Sequence, residues 1–195
     1  MERIAPRPLL TTLPNLLTFG RILAVPALAA CFLLVRDDAG RWLSLAIFSV
    51  ACVTDWLDGY LARVWNQQSL LGRMLDPIAD KLLVGTALML LVYDNTIDKW
   101  TICAAIVILC REILVSGLRE FLAELNKTVK VSQLAKWKTT LQMIALGVLL
   151  AGPAGDKIFG GVSTTGTALL WVAATLTLYT GYDYLKAAID YALEQ

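Results

Sequence analysis

The chain has 195 residues, 57% of them apolar and 17% charged, with a mean hydropathy of +0.64. Soluble domains are roughly 45–50% apolar and about 25% charged, so this composition points to a bilayer and away from a soluble enzyme. Seventeen basic against sixteen acidic residues give a net charge of +1, too little for a nucleic-acid partner held by phosphate neutralisation. The absence of histidine excludes Ser–His–Asp and Cys–His triads, a histidine base and most zinc sites.

Six apolar runs between charges predict six helices in an all-α integral membrane protein, a bundle of transmembrane segments forming one domain over residues 1–195. The N-terminal stretch holds three prolines before any long apolar run, and no convincing small-residue cleavage site follows that run. No removable signal peptide is therefore expected. The first helix begins near Leu16, contains Ile22–Val35 and ends at the turn from Arg36 to Arg41. The second runs from Trp42 to Arg63 or beyond, and the third from about Gly72 to Tyr93. The fourth covers Trp100 to about Ala123, interrupted by Arg111 and Glu112. The fifth covers about Leu134 to Ala151 and stops at Gly152–Pro153. The sixth lies within Ile158–Tyr182, starting near Ser163. Cys31, Cys52, Cys103 and Cys110 sit in apolar runs without CxxC pairing, and packing explains them better than a disulfide or a metal. Trp42, Tyr93, Trp100, Tyr182 and Tyr184 fall near span ends, where interfacial anchoring is the expected role.

An even number of spans puts both termini on one side. That side collects Arg3, Arg7, Arg21, Arg63, Arg73, Lys81, Arg119, Lys127, Lys130, Lys136, Lys138 and Lys186, and the other has Arg36, Arg41, Lys99 and Lys157. The positive-inside rule then places both termini in the cytoplasm.

The second and third helices carry the chemistry. Asp55 and Asp58 are three apart and share a face with Gly59 and Ala62, while Gly72, Asp76 and Asp80 form an i, i+4, i+8 stripe. Two such stripes on consecutive helices can face each other. Four adjacent carboxylates repel unless cations neutralise them, and oxygen ligands without imidazole or thiolate favour Mg²⁺ or Mn²⁺. The small residues leave room for a bulky charged ligand. Taken singly, each aspartate reads more readily as a solvated helix end, and Asp76–Pro77 can also be a helix-start or kink device. Four at these spacings beside Gly, Ala and Arg are harder to explain in that way.

The pattern D-x₂-D-G-x₂-A-R-x₈-G-x₃-D-x₃-D, matched from Asp55 to Asp80, resembles the signature of the CDP-alcohol phosphotransferases. The resemblance implies a six-helix membrane enzyme, expected as a homodimer, that transfers a phosphatidyl or related group from a CDP-linked donor to an alcohol and releases CMP. It implies that Asp55, Asp58, Asp76 and Asp80 bind two divalent cations and that Asp80 is the catalytic base. It assigns Gly59, Arg63 and Ser69 to the donor, CDP-diacylglycerol. Leu13 to Arg21 resembles the family's amino-terminal element, which adds Asn15 and Thr18 to the donor contacts, although Asn15 after Pro14 also reads as an ordinary N-cap.

Arg111 to Glu120 and Lys136 to Gln142 resemble the branch whose acceptor is sn-glycerol 3-phosphate, and the match assigns Arg119, Lys136 and Lys138 to that acceptor. A dianionic phosphate requires several cations, yet basic residues also accumulate on cytoplasmic ends without any ligand. Lys136 and Lys138 are two apart and diverge on a regular helix. Arg111 and Glu112, being adjacent, do not face each other; a functional role and an ion pair to another helix are equally open. Other acceptors of the same family (inositol phosphate, serine, phosphatidylglycerol) and, from a different class, a cation-coupled transporter are the competing readings.

Overall fold

Turn chemistry sets the helix boundaries close to where the apolar runs place them. The computed structural model describes residues 13–64, 70–124 and 133–193, and among these there are six helices and no strand. They are α1 (Leu13–Leu34), α2 (Asp38–Val64), α3 (Leu70–Tyr93), α4 (Thr101–Glu124), α5 (Gln133–Asp156) and α6 (Val162–Leu193). Three contain stretches long and apolar enough to cross a membrane, at Asn15–Leu34, Thr101–Ala123 and Val162–Lys186. The helix α6 runs well past the expected end near Tyr182. The uncharged run stops at Asp183, but backbone hydrogen bonds continue through charged residues once a helix has left the apolar layer.

The chain falls into two units, residues 1–86 and 87–195. In the first, α1 packs on α2 through Leu28, Phe32, Phe48 and Ala51, all buried. The Asp37 carboxylate accepts the Gly40 backbone N–H at 3.1 Å, capping α2. Gly40 is required there: a Cβ would stand 1.8 Å from the Val35 carbonyl oxygen. The Arg41 guanidinium lies 5.4 Å from the Phe32 ring centre, joining the end of α1 to the start of α2.

In the second unit, α6 packs against both α5 and α4. Ala145, Leu146, Leu149 and Leu150 of α5 and Leu170 and Ala173 of α6 are fully buried. The expected stop at Gly152–Pro153 is present as a kink. Gly152 adopts φ 36°, and one further turn carries α5 to Asp156. The Asp156 carboxylate then caps α6, accepting the Ser163 N–H at 3.0 Å and the Ser163 hydroxyl. The Ser163 hydroxyl, and then the Ser163 N–H, hold this carboxyl below its ordinary value of 3.8. Threonines inside the helices return their hydroxyl protons to the preceding turn, as Thr175 does to Trp171 at 2.7 Å and Thr167 to Ser163 at 3.0 Å. Those hydroxyls then need no other partner in the apolar layer.

Trp42, Tyr93, Trp100 and Tyr182 are exposed, as interfacial anchors would be. Tyr184 is not: it is 4% exposed and belongs to the interior of its unit. Helical phase decides this, because residues 182 and 184 project about 200° apart. All four cysteines are free thiols, and Cys103 and Cys110 are exposed, so for those two the expectation of internal packing does not hold.

Candidate active site

The first unit gathers acids around one buried cation. Asn15, Thr18 and Arg21 recur at three-residue spacing on α1 and are 1–2% exposed, whereas Leu16 and Leu23 on the opposite face are 61% and 69% exposed. The helix is polar inward and apolar outward, as a bilayer demands. Arg21 Nη1 lies 2.5 Å from Asp55 Oδ1 of α2 and 2.8 Å from Asp80 Oδ1 of α3. One turn earlier, the Thr18 hydroxyl donates to Asp76 Oδ1 at 2.7 Å. The arginine side chain is fully buried while those of Asp55 and Asp80 remain 40% and 39% exposed. Their carboxylates therefore present a face to a ligand, with the guanidinium behind them.

Three of the four expected metal-binding aspartates are thus placed. Asp55 and Asp80 converge on one nitrogen, and Asp76 is held by Thr18. Among the described residues no three acidic or thiol side chains are grouped as a metal site. The side chains of Asp58 and Arg63, the surroundings of Gly59, and the whole of Ser69 lie outside the described residues. Arg21 lies in the amino-terminal element Leu13 to Arg21, to which the resemblance assigns only Asn15 and Thr18 as donor contacts. Its signal was present in the sequence: it continues the Asn15–Thr18 spacing as a charge inside an apolar run.

The second unit has the opposite composition. The Lys138 side chain is buried and its ammonium donates to Glu112 Oε1, while Arg111 Nη1 lies 3.6 Å from the same oxygen. Arg111 also donates to Thr180 Oγ1 of α6 at 3.2 Å. The guanidinium carbons of Arg111 and Arg119 stand 5.8 and 5.7 Å from the centre of the Tyr184 ring. Among the described residues, Arg111 and Lys138 share the carboxylate of Glu112 and Arg119 meets Arg111 over the Tyr184 ring, so these three cations exceed that one carboxylate by two charges. Lys136 is exposed and Lys138 buried, so the two lysines diverge as their spacing predicts. Arg111 and Glu112 are both part of this cluster. Adjacent residues project about 100° apart, so Glu112 reaches α5 while Arg111 reaches α6.

The family model for CDP-alcohol phosphatidyltransferases matches residues 11–179, which include both clusters except Tyr184 and Thr180. Curated relatives named CDP-diacylglycerol–glycerol-3-phosphate 3-phosphatidyltransferase align over nearly the whole chain. The protein of Rickettsia bellii is 46% identical, covering 92% of this chain and 96% of its own. That of Salmonella typhimurium is 44% identical, covering 94% and 98%. That of Cereibacter sphaeroides is 39% identical, also covering 94% and 98%. Eight fixed residues from Asp55 to Asp80, aspartates converging from two helices and a match across most of the sequence agree on one conclusion: the chain belongs to the CDP-alcohol phosphatidyltransferase family.

Proposed function

We propose that this chain transfers the phosphatidyl group of CDP-diacylglycerol to sn-glycerol 3-phosphate, giving phosphatidylglycerol phosphate and CMP. The observation that supports a phosphate-bearing acceptor is the cluster of Arg111 and Lys138 on the carboxylate of Glu112 with Arg119 beside them at the Tyr184 ring. Its two excess positive charges match a phosphate dianion, whereas serine would offer it only a carboxylate monoanion. The relatives' names point to the same two substrates.

The donor set of the first unit fits a hard divalent cation. Asp55 and Asp80 already direct oxygens at one cationic atom, and both carboxylates remain accessible. In this reading Asp55, Asp58, Asp76 and Asp80 hold two Mg²⁺ or Mn²⁺ ions. When bound, these would clamp the pyrophosphate oxygens and stabilise the departing CMP. Asn15, Thr18, Gly59, Arg63 and Ser69 hold the donor, with Arg63 suited to a bidentate phosphate contact. The free primary hydroxyl of the acceptor attacks the phosphatidyl phosphorus, the pyrophosphate P–O bond to CMP breaks, and Asp80 takes the hydroxyl proton. Lys138 and Arg119 bind the acceptor phosphate; Lys136, being exposed, serves at its approach or against lipid headgroups.

The same reading takes residues 1–195 as one membrane-embedded domain, with all six helices in the bilayer and the charged ends of α2, α3 and α5 at its boundary. It places both termini and the site on the cytoplasmic side of a bacterial inner membrane, and the protein works as a homodimer. The test is CMP release by purified protein from CDP-diacylglycerol with a panel of acceptors, with and without chelator. Metal-dependent release with glycerol 3-phosphate far above inositol phosphate, serine and phosphatidylglycerol is expected. Preference for another acceptor would overturn the assignment, and ion flux in sealed vesicles without CMP would favour a transporter.

A further inference from the structure

The least expected feature of the second unit is a polar stripe on the apolar helix α6. Thr177, Thr180, Gly181 and Tyr184 recur at helical spacing and are all buried; Thr177 is 0%, Thr180 1% and Tyr184 4% exposed. Arg111 lies along this stripe. Its Nη2 donates to Thr180, and its Cγ occupies the space that a Cβ on Gly181 would enter at 3.0 Å. The Tyr184 ring takes the guanidinium of Arg111 at 5.8 Å and that of Arg119 at 5.7 Å. Two like charges over one ring repel each other, and the ring's negative face offsets only part of that cost. An anion between them would offset the rest. The Tyr184 hydroxyl is buried and has no hydrogen-bond partner among the described residues, and neither has Arg111 Nε. Donors left open beside two guanidinium groups are placed to receive acceptor oxygens.

We infer that Tyr184 is a positioning and binding residue for the phosphate of the acceptor. Its ring holds Arg111 and Arg119 side by side, and its hydroxyl donates a hydrogen bond to a phosphate oxygen. Thr180 and Gly181 fix the rotamer of Arg111 on the same face. The inference rests on the glycerol 3-phosphate reading above, but it concerns any ligand presenting a phosphate dianion to this seat.

The experiment compares full-length wild type, Tyr184→Phe and Tyr184→Leu by two readouts. The first is steady-state kinetics with separate KM values for donor and acceptor. The second is the rise in Tm produced by glycerol 3-phosphate or by inorganic phosphate. Tyr184→Phe keeps the ring and loses only the hydroxyl, so the acceptor KM should rise about fivefold with kcat and donor KM little changed. Tyr184→Leu also loses the seat of both arginines, and its acceptor KM should rise on the order of tenfold or more. The Tm gain with phosphate should shrink in the same order. If Tyr184→Leu fails to fold, the Phe variant alone decides. Should wild type turn over no glycerol 3-phosphate, yet gain Tm from phosphate in a manner that Tyr184→Phe weakens, the acceptor reading falls and the phosphate seat stands. Acceptor KM and phosphate-induced Tm gain both at wild-type level in Tyr184→Phe would overturn the inference. So would a rise confined to the donor KM, a loss confined to kcat, or a wild type that phosphate does not stabilise.

Discussion

The two charge clusters are near opposites. In the first unit, Asp55, Asp76 and Asp80 gather with Arg21; in the second, Arg111, Arg119 and Lys138 gather with Glu112. In each, the minority charge pairs with ions on other helices. Arg21 of α1 joins α2 to α3, and Glu112 of α4 meets Lys138 of α5. Removing ions from water is expensive, and one counter-ion among three like charges does not repay it. In the proposed function a ligand of the opposite sign completes each imbalance, divalent cations in one case and a phosphate dianion in the other. The surplus charge, more than any single residue, is what each proposed ligand assignment rests on.

The sharpest way to break the comparison is at Asp80. Asp80→Asn keeps its size and one ligand oxygen but cannot accept a proton, so turnover should fall on the order of 10²–10⁴-fold with donor binding retained. Asp55→Asn should recover a larger share of its activity in excess Mn²⁺. Restoration of Asp80→Asn to near wild-type turnover by metal alone would reduce Asp80 to a ligand.

Arg21→Met removes the minority charge of the acid cluster. Loss of one partner from a buried pair costs about 3–5 kcal/mol; the part-exposed carboxylates here lower the expectation to about 2–4 kcal/mol. The measurement is thermal unfolding in chelator and in Mg²⁺. Divalent cation should stabilise the variant more than wild type, because the freed carboxylates then depend on it. Equal stabilisation of both proteins would show that Arg21 and the metal do not share those oxygens.

In the cation cluster, burial should separate the two lysines. Lys138→Ala should raise the glycerol 3-phosphate KM about tenfold to a hundredfold, the range for a hydrogen bond to a charged group, while leaving the donor KM near wild type. Lys136→Ala, at an exposed position, should change it by no more than about twofold. The reverse order would mean that Lys138 serves only its pair with Glu112.

The smallest effect belongs to Asp156, a control outside both clusters. Its carboxyl is held below the ordinary value by Ser163, so its share of stability is present above the unfolded pKa and is lost as pH falls through the folded one. Wild type should therefore lose slightly more Tm than Ser163→Ala on going from pH 7 to below pH 3.8. Identical slopes would remove the cap from the account.

Composition and the spacing of charges determined the class of molecule and the acidic half of the chemistry. Apolar runs cut by charges mark helices because a bilayer core admits little else, and the Asp55–Asp80 pattern marks shared carboxylate faces because spacing along a helix is a local property. Helix ends were less legible. Backbone hydrogen bonding carries α6 through Asp183 to Leu193, where a hydropathy reading stops at the first charge. Other features depended on contacts between distant segments. Nothing local says that Arg21 will lie between Asp55 and Asp80, that Lys138 rather than Lys136 turns inward to Glu112, or that Tyr184 leaves the interface to sit under Arg111 and Arg119. Lys138 and Glu112 are 26 positions apart and Arg21 and Asp80 59, and the Arg111 bond to Thr180 spans 69. Which face of each helix meets which neighbour is set by packing, and packing is a property of the folded chain alone.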